Sequence, residues 1–243
     1  MTAAGVIWHD VECGAYAADL PLWRELAAAA GGPILDVGAG TGRVTLDLAR
    51  RGHDVVALDR DPDLVAALRE RAAREGLQVD AVHADARAFD LGRQVAQVIV
   101  PMQTMQLLGG SAGRVEFLRC AAAHLRPGGL LAAALADALE GGVEGARAEN
   151  PLPDIREIDG IVYASTPVGV YRARGGIVIE RRRETIDGAG QVTSGHDAIL
   201  LDDVEVPTVE QEAAPLGLRA LPARAVAPTD DYVGSEVVVL CRS

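Results

Sequence analysis

Residues 36–42 read Asp36-Val37-Gly38-Ala39-Gly40-Thr41-Gly42, and the reading of this stretch decides the fold. Just before it, residues 33–37 form a short apolar run, as expected of a strand buried on both faces. Just after it, residues 43–51 place Val44, Leu48 and Arg51 at helical spacing and stop at Gly52. Strand, glycine turn and helix thus follow one another directly. Glycines here leave no Cβ in the way, so backbone N–H groups can approach a ligand at the start of the helix. The same spacing also suits a tight strand-to-helix turn that holds nothing.

Working outward, the strand–helix alternation continues. Residues 17–30 read as a helix, with Asp19 as its cap, Pro21 in its first turn and Leu22, Leu26 and Ala29 on one face. Residues 54–58 are a second strand, and Asp61-Pro62 caps and opens a helix that runs to Arg74 and closes at Gly76. Residues 78–83 and 95–100 are further strands. Residues 111–126 are a helix stopped by Pro127-Gly128-Gly129, and residues 130–135 are a fifth strand. Such alternation predicts an α/β chain with a parallel sheet covered by helices. From about residue 154 to 201 the period changes. Turn signals stand at Asp159-Gly160, Arg174-Gly175-Gly176 and Asp187-Gly188, between segments rich in Val, Ile, Thr and Tyr, which predicts an antiparallel meander. A helix over 208–216 and strands over 218–225 and 236–241 complete the chain. Residues 138–148, rich in Ala and Gly, are the expected linker.

Composition narrows the function. The chain of 243 residues is 49% hydrophobic, enough for a sizeable core. Its formal charge is -12 and it contains no lysine at all, which excludes lysine Schiff-base chemistry and a lysine-bearing phosphate loop. A negative field repels phosphate backbones, so nucleic acid is not expected as a partner. Cys13, Cys120 and Cys241 form no CxxC pair, which argues against a disulfide framework or a cysteine zinc site, and no metal site is expected. With no signal-peptide pattern and no apolar run of about 18 residues, the expected compartment is the cytoplasm and no membrane contact is expected.

Two carboxylates join the glycine loop. Asp59 ends the second strand, where open α/β sheets bind ligands and where a carboxylate can accept both hydroxyls of an adenosine ribose. Asp59 is alternatively an acid at a helix start. Asp85, in His83-Ala84-Asp85-Ala86, ends the third strand. It can accept from an adenine amino group while Ala86 N–H donates to a ring nitrogen, or it is a solvated loop acid. Arg43 stands where the dinucleotide fingerprint wants Gly or Ala, which favours an adenosine cofactor other than NAD or FAD.

Taken together, residues 34–59 resemble the first two motifs of the class I S-adenosylmethionine (SAM)-dependent methyltransferases. His83-Ala84-Asp85-Ala86 is similar to that family's adenine motif, residues 98–108 (VIVPMQTMQLL) to its fourth-strand motif, and Leu125-Arg-Pro-Gly-Gly129 to its turn before strand five. The resemblance covers about residues 30–137. It implies a seven-stranded, doubly wound Rossmann-like sheet with a terminal antiparallel hairpin and a β-rich insert after strand five. It divides the chain into an N-terminal lid and helix (1–30), a SAM-binding core (31–138), a cap or oligomerisation insert (139–201) and a C-terminal helix with the last two strands (202–243). It also implies that Gly38, Ala39 and Gly40 lie against the methionine part of the cofactor and that Asp36 holds the loop or the ammonium through water. Asp59 falls at the ribose, Asp85 and Ala86 at the adenine, and the Val100 carbonyl at the ammonium, with Arg60 a further cofactor-binding residue. Tyr16 closes over the methionine end.

Residues 101–103 depart from the family, with Pro101, Met102 and Gln103 where many relatives carry an acid or asparagine. No catalytic base is therefore assigned; His9, on the N-terminal segment, and Gln103 are the candidates, with Gln106 a further pocket candidate. Trp8 and His9 either meet an acceptor or simply pack as a lid. In-line methyl transfer draws much of its acceleration from alignment, and a base is needed only if the acceptor must lose a proton early. Arg156, Arg172, Arg174 and Arg181–Arg183 on the insert either read an anionic acceptor or form a solvated face. The expected function is methyl transfer to nitrogen or oxygen of a small-molecule acceptor, with a homo-oligomer through residues 139–201. An aminopropyltransferase, a dinucleotide-dependent oxidoreductase or an idle SAM-binding scaffold are the alternatives.

Overall fold

The computed structural model describes residues 4–136, 152–229 and 232–243. The chain divides into two compact units, one of residues 17–136 with 204–243 and the other of residues 1–16 with 137–203.

The larger unit is built on a seven-stranded sheet. Its strands are β1 (Ile34–Val37), β2 (Val55–Asp59), β3 (Asp80–His83), β4 (Val95–Val100), β5 (Leu125–Ala136), β10 (Leu218–Val226) and β11 (Ser235–Arg242), in the order β10-β11-β5-β4-β1-β2-β3. Neighbours from β5 to β3 run parallel, while β11 is antiparallel to β5 and to β10. Every residue of β1, β2 and β4 is buried, because helices cover both faces. Alternation sorts the side chains. Leu35, Val37, Val98 and Val100 join a core with Phe117 and Leu118 of α5 (Gly110–His124) and Val206 and Val209 of α6 (Val206–Ala213). Ile34 and Ile99 point the other way, to Leu22 and Trp23 of α2 (Leu20–Ala30) and Val44 and Leu48 of α3 (Arg43–Arg50). The expected fold class is the observed one, including the terminal hairpin.

Two local expectations changed. Asp61 does cap α4 (Pro62–Arg74), accepting from the N–H groups of Asp63 and Leu64. Asp19 makes no cap hydrogen bond to α2, because its carboxylate is taken by Arg43 and by the Trp23 indole N–H. Arg126, expected to end the helix, and Pro127-Gly128-Gly129, expected as a stop before strand five, bulge inside β5 instead. The β4 register steps from Val95↔Leu125 to Gln97↔Leu130, so the Pro-Gly-Gly turn lies outside the ladder while the strand continues on both sides of it.

The smaller unit holds the meander: β6 (Asp154–Ile158), β7 (Ile161–Ala173), β8 (Gly176–Ile186) and β9 (Val192–Leu201), each antiparallel to the next. The hairpins turn at the expected glycine sites. The N-terminal helix α1 (Ala4–Cys13) packs on β6 and β7. Its Glu12 accepts two hydrogen bonds from Arg183 at 2.7 and 2.8 Å and one from Ser165 Oγ at 2.8 Å. Trp8 meets Tyr163 edge-on at 5.5 Å, with the Arg183 guanidinium 5.4 Å from the Trp8 ring centre. Burial pushes the Glu12 carboxyl up, but the hydrogen bonds from Arg183 and Ser165 outweigh it and hold it below the usual range. The expected linker over 138–148 and the boundary near residue 138 lie outside the described residues.

Candidate functional site

Strand order reverses between β1 and β4, since β1 leads on to β2 and β3 while β4 leads to β5 and the hairpin. In open α/β sheets ligands lie at such a switch point, beyond the carboxyl ends of the strands. The glycine loop leaves β1 there. Gly38, Gly40 and Gly42 have φ of 71°, 56° and 98°, a region that side chains with a Cβ rarely enter. The N–H groups of Gly38 and Ala39 both donate to Leu58 O of β2, at 2.8 and 3.1 Å, which fixes the loop to the sheet. A Cβ at Gly38 would overlap the Thr104 side chain, so glycine there is a packing requirement as well as a conformational one.

Asp36 lies below the loop, 1% exposed. Thr45 Oγ1 donates to its Oδ2 at 2.6 Å, while Oδ1 has no hydrogen-bond partner. Burial pushes its carboxyl up to about 6, against the Thr45 bond and the nearby Arg43 cation. A buried acceptor oxygen without a partner is costly in a finished core and is accounted for readily where a donor or water arrives with a ligand. Arg43 itself is anchored, donating from both terminal nitrogens to Asp19 at 2.6 and 2.7 Å.

Asp59 is placed at the tip of β2, and its carboxylate has structural partners that sequence reasoning missed. Oδ2 accepts from Gly40 N at 2.8 Å and Oδ1 from Asp61 N at 2.9 Å. Each oxygen keeps a further lone pair, so the side chain holds the loop in shape and still offers acceptors. The next residue, Arg60, is exposed, and its carbonyl oxygen lies 3.0 Å from His83 Nε2. After β3, Asp85 pairs with Arg87, whose Nε and Nη2 donate at 3.0 and 2.6 Å and whose N–H donates at 2.9 Å. These hydrogen bonds hold its carboxyl down to about 2. Ala86 is buried beside it.

The other wall of the switch point follows β4. Val100 and Pro101 are buried, and Met102 adopts φ 55°, one of two non-glycine residues with positive φ among those described. Such backbone strain gathers at functional sites. Gln103 is half-buried and its carbonyl accepts from Gln106 N at 2.9 Å. The larger unit therefore brings together Asp36, Gly38, Ala39, Gly40, Asp59, Asp85, Ala86, Val100 and Gln103 at one edge of one sheet. His9 and Tyr16 belong to the smaller unit, His9 in α1 and Tyr16 just after it. In that unit the cations Arg181 and Arg183 meet carboxylates, Asp154 and Glu12 with Asp197 respectively, and Arg182 meets Glu184. Among the described residues no group of three or more His, Cys, Asp or Glu side chains could hold a metal ion.

Comparison with known proteins agrees with this fold. Residues 34–129 match the model of a methyltransferase domain. A ubiquinone biosynthesis O-methyltransferase of Methylocella silvestris is 34% identical over 108 residues, 42% of this chain and 38% of that protein. A probable cobalt-precorrin-6B C(15)-methyltransferase (decarboxylating) of Methanothermobacter thermautotrophicus is 37% identical over 96 residues, 39% of this chain and 47% of that protein. The match thus spans less than half the length of these relatives. Solved structures are similar over nearly the whole chain. DesVI of Streptomyces venezuelae has a TM-score of 0.76 at 20% identity, covering 98% of this chain and 96% of that one. SAM-bound CalS10, an amino pentose methyltransferase of Micromonospora echinaspora, has a TM-score of 0.75 at 23% identity, covering 98% and 97%. The sugar N-methyltransferase KedS8 of Streptoalloteichus has 0.78 at 19%, covering 98% and 92%. Residues 34–129 of this chain are therefore a methyltransferase domain, built on the fold of the class I S-adenosylmethionine-dependent methyltransferases.

Proposed function

We propose that the protein binds S-adenosylmethionine at the β1–β4 switch point and transfers its methyl group to nitrogen or oxygen of a small-molecule acceptor, with amino sugars the first class to test. The observation that carries the cofactor reading is the buried, partnerless Asp36 Oδ1 beneath a loop whose Gly38 admits no side chain. These residues fit the group. Gly38, Ala39 and Gly40 supply the close backbone, Asp36 and Val100 O the acceptors for an ammonium, Asp59 the ribose acceptors, and Asp85 with Ala86 the adenine contacts. The cofactor supplies an activated methyl on a sulfonium. The chain's residues orient it, and the fixed loop places it before the acceptor arrives, so alignment rather than proton transfer supplies most of the acceleration. No catalytic base is assigned.

The acceptor reading rests on the insert, because likeness to an amino pentose and a sugar N-methyltransferase extends over 98% of the chain, well beyond the matched domain of residues 34–129. The smaller unit also carries Leu152, Ile155, Tyr171, Val192 and Leu200 as exposed apolar side chains, which supports a contact between copies of this chain. Calorimetry with S-adenosylhomocysteine, with NADH as control, tests the cofactor; heat from NADH alone refutes it. A tritiated-methyl transfer screen over amino sugars, amines, phenols and small acids tests the rest. S-adenosylhomocysteine binding with no transfer to any class would favour the idle scaffold.

A further inference from the structure

The end of β5 presents a backbone problem that one side chain solves. β4 stops at Val100, which pairs with Ala133, yet β5 runs on to Ala136. On the other side β11 still faces it, through Ser235↔Ala136. The N–H and C=O of one strand residue point the same way, so those of Ala136 lack a β4 partner, and Ala136 is buried at 6% exposure. Gln106, 2% exposed in the 3₁₀ turn Thr104–Leu107, meets both groups. Its Nε2 donates to Ala136 O at 3.1 Å and its Oε1 accepts from Ala136 N at 2.9 Å. A primary amide has the donor and acceptor of a peptide group at every pH, whereas a carboxyl has both only when it is protonated. The side chain acts as a missing strand residue and carries the sheet about three residues, or roughly 10 Å, past the last β4 pair.

That position matters because Ala136 closes the first segment of the larger unit, residues 17–136. The same turn presses Thr104 against Gly38 and buries Met105 completely. One short turn thus meets the glycine loop with its first residue and the end of β5 with its third.

We propose that Gln106 is a positioning residue that fixes the end of β5, the last stretch of the larger unit before the insert in sequence, and that it serves acceptor selection and not cofactor binding. This rests on the reading that the larger unit binds the cofactor and the insert selects the acceptor. The test uses the whole chain, with Gln106→Ala and Gln106→Glu. Amide hydrogen exchange is followed at Ala136 and at β1, and S-adenosylhomocysteine affinity by calorimetry. In Gln106→Ala, exchange at Ala136 rises at least tenfold while β1 is unchanged, and affinity stays within about threefold. In Gln106→Glu, a protonated carboxyl again has one donor and one acceptor. Protection of Ala136 is therefore restored at pH 5 and lost at pH 8, after correction for intrinsic exchange, and the parent shows no such dependence. A loss of bulk alone would not produce that pH profile, and the Glu variant at low pH keeps the test open if the Ala variant fails to fold. Unchanged exchange at Ala136, a flat profile in the Glu variant, or affinity that collapses along with protection would each overturn the proposal. A parent chain that does not bind S-adenosylhomocysteine would instead refute the cofactor reading, whatever the exchange shows.

Discussion

Replacing Asp59 by alanine separates two roles that meet in one carboxylate. The substitution removes the acceptor for Gly40 N at 2.8 Å, in a buried bond, and for Asp61 N at 2.9 Å, in a part-buried one. A buried N–H that loses a charged acceptor costs about 1.5–3 kcal/mol, and the half-exposed Asp61 N–H, which water can reach, about 0.5–1 kcal/mol. The expected destabilisation is about 2–4 kcal/mol without any ligand. For a chain of this size each kcal/mol moves the midpoint by about 2–4 °C, so Tm should fall by roughly 5–15 °C. On the proposed ribose assignment, calorimetry on the folded variant should show S-adenosylhomocysteine affinity reduced tenfold to a hundredfold, or about 1.4–2.7 kcal/mol. Asp59→Asn should fall between, since its oxygen still accepts while its NH2 faces a backbone N–H. The readouts fail separately. A parent-like Tm in Asp59→Ala would refute the structural role of the Gly40 bond, and a parent-like affinity would refute the ribose assignment.

Two further outcomes follow from the same loop. Asp36, carried by burial from 3.8 to about 6, favours folding while it is protonated, and that contribution is lost as pH rises through about 6, a difference of roughly 3 kcal/mol. Asp36→Asn should therefore be more stable than the parent at pH 8 and lose this advantage at pH 4, and in the parent S-adenosylhomocysteine affinity should rise about tenfold from pH 5 to pH 8; parallel melting curves and a flat affinity profile would rule this out. Gly38→Ala should lose cofactor binding through overlap with Thr104, and Thr104→Ala in the same chain should recover part of it, since the Thr104 side chain supplies most of the clash; a double variant no better than the single would mean that the φ of 71° dominates.

By itself the sequence determined the larger sheet, the glycine loop and the antiparallel character of the insert. Those features are local. Period, turn residues and strand-end carboxylates act within a few positions of one another, and Gly38, Asp59 and Asp61-Pro62 carry their signals in adjacent residues. Tertiary structure decided which groups meet. Asp19 has the look of a helix cap, yet Arg43, 24 positions on, binds it more strongly as a part-buried ion pair. Arg181 and Arg183 have the pattern of an exposed basic strand, and only folding brings Glu12, 171 positions from Arg183, onto that face. Gln106 reads as one more polar residue near a site. Its role depends on β4 ending before β5 does, and strand length relative to a neighbour is a property of the assembled sheet, which no window of sequence contains.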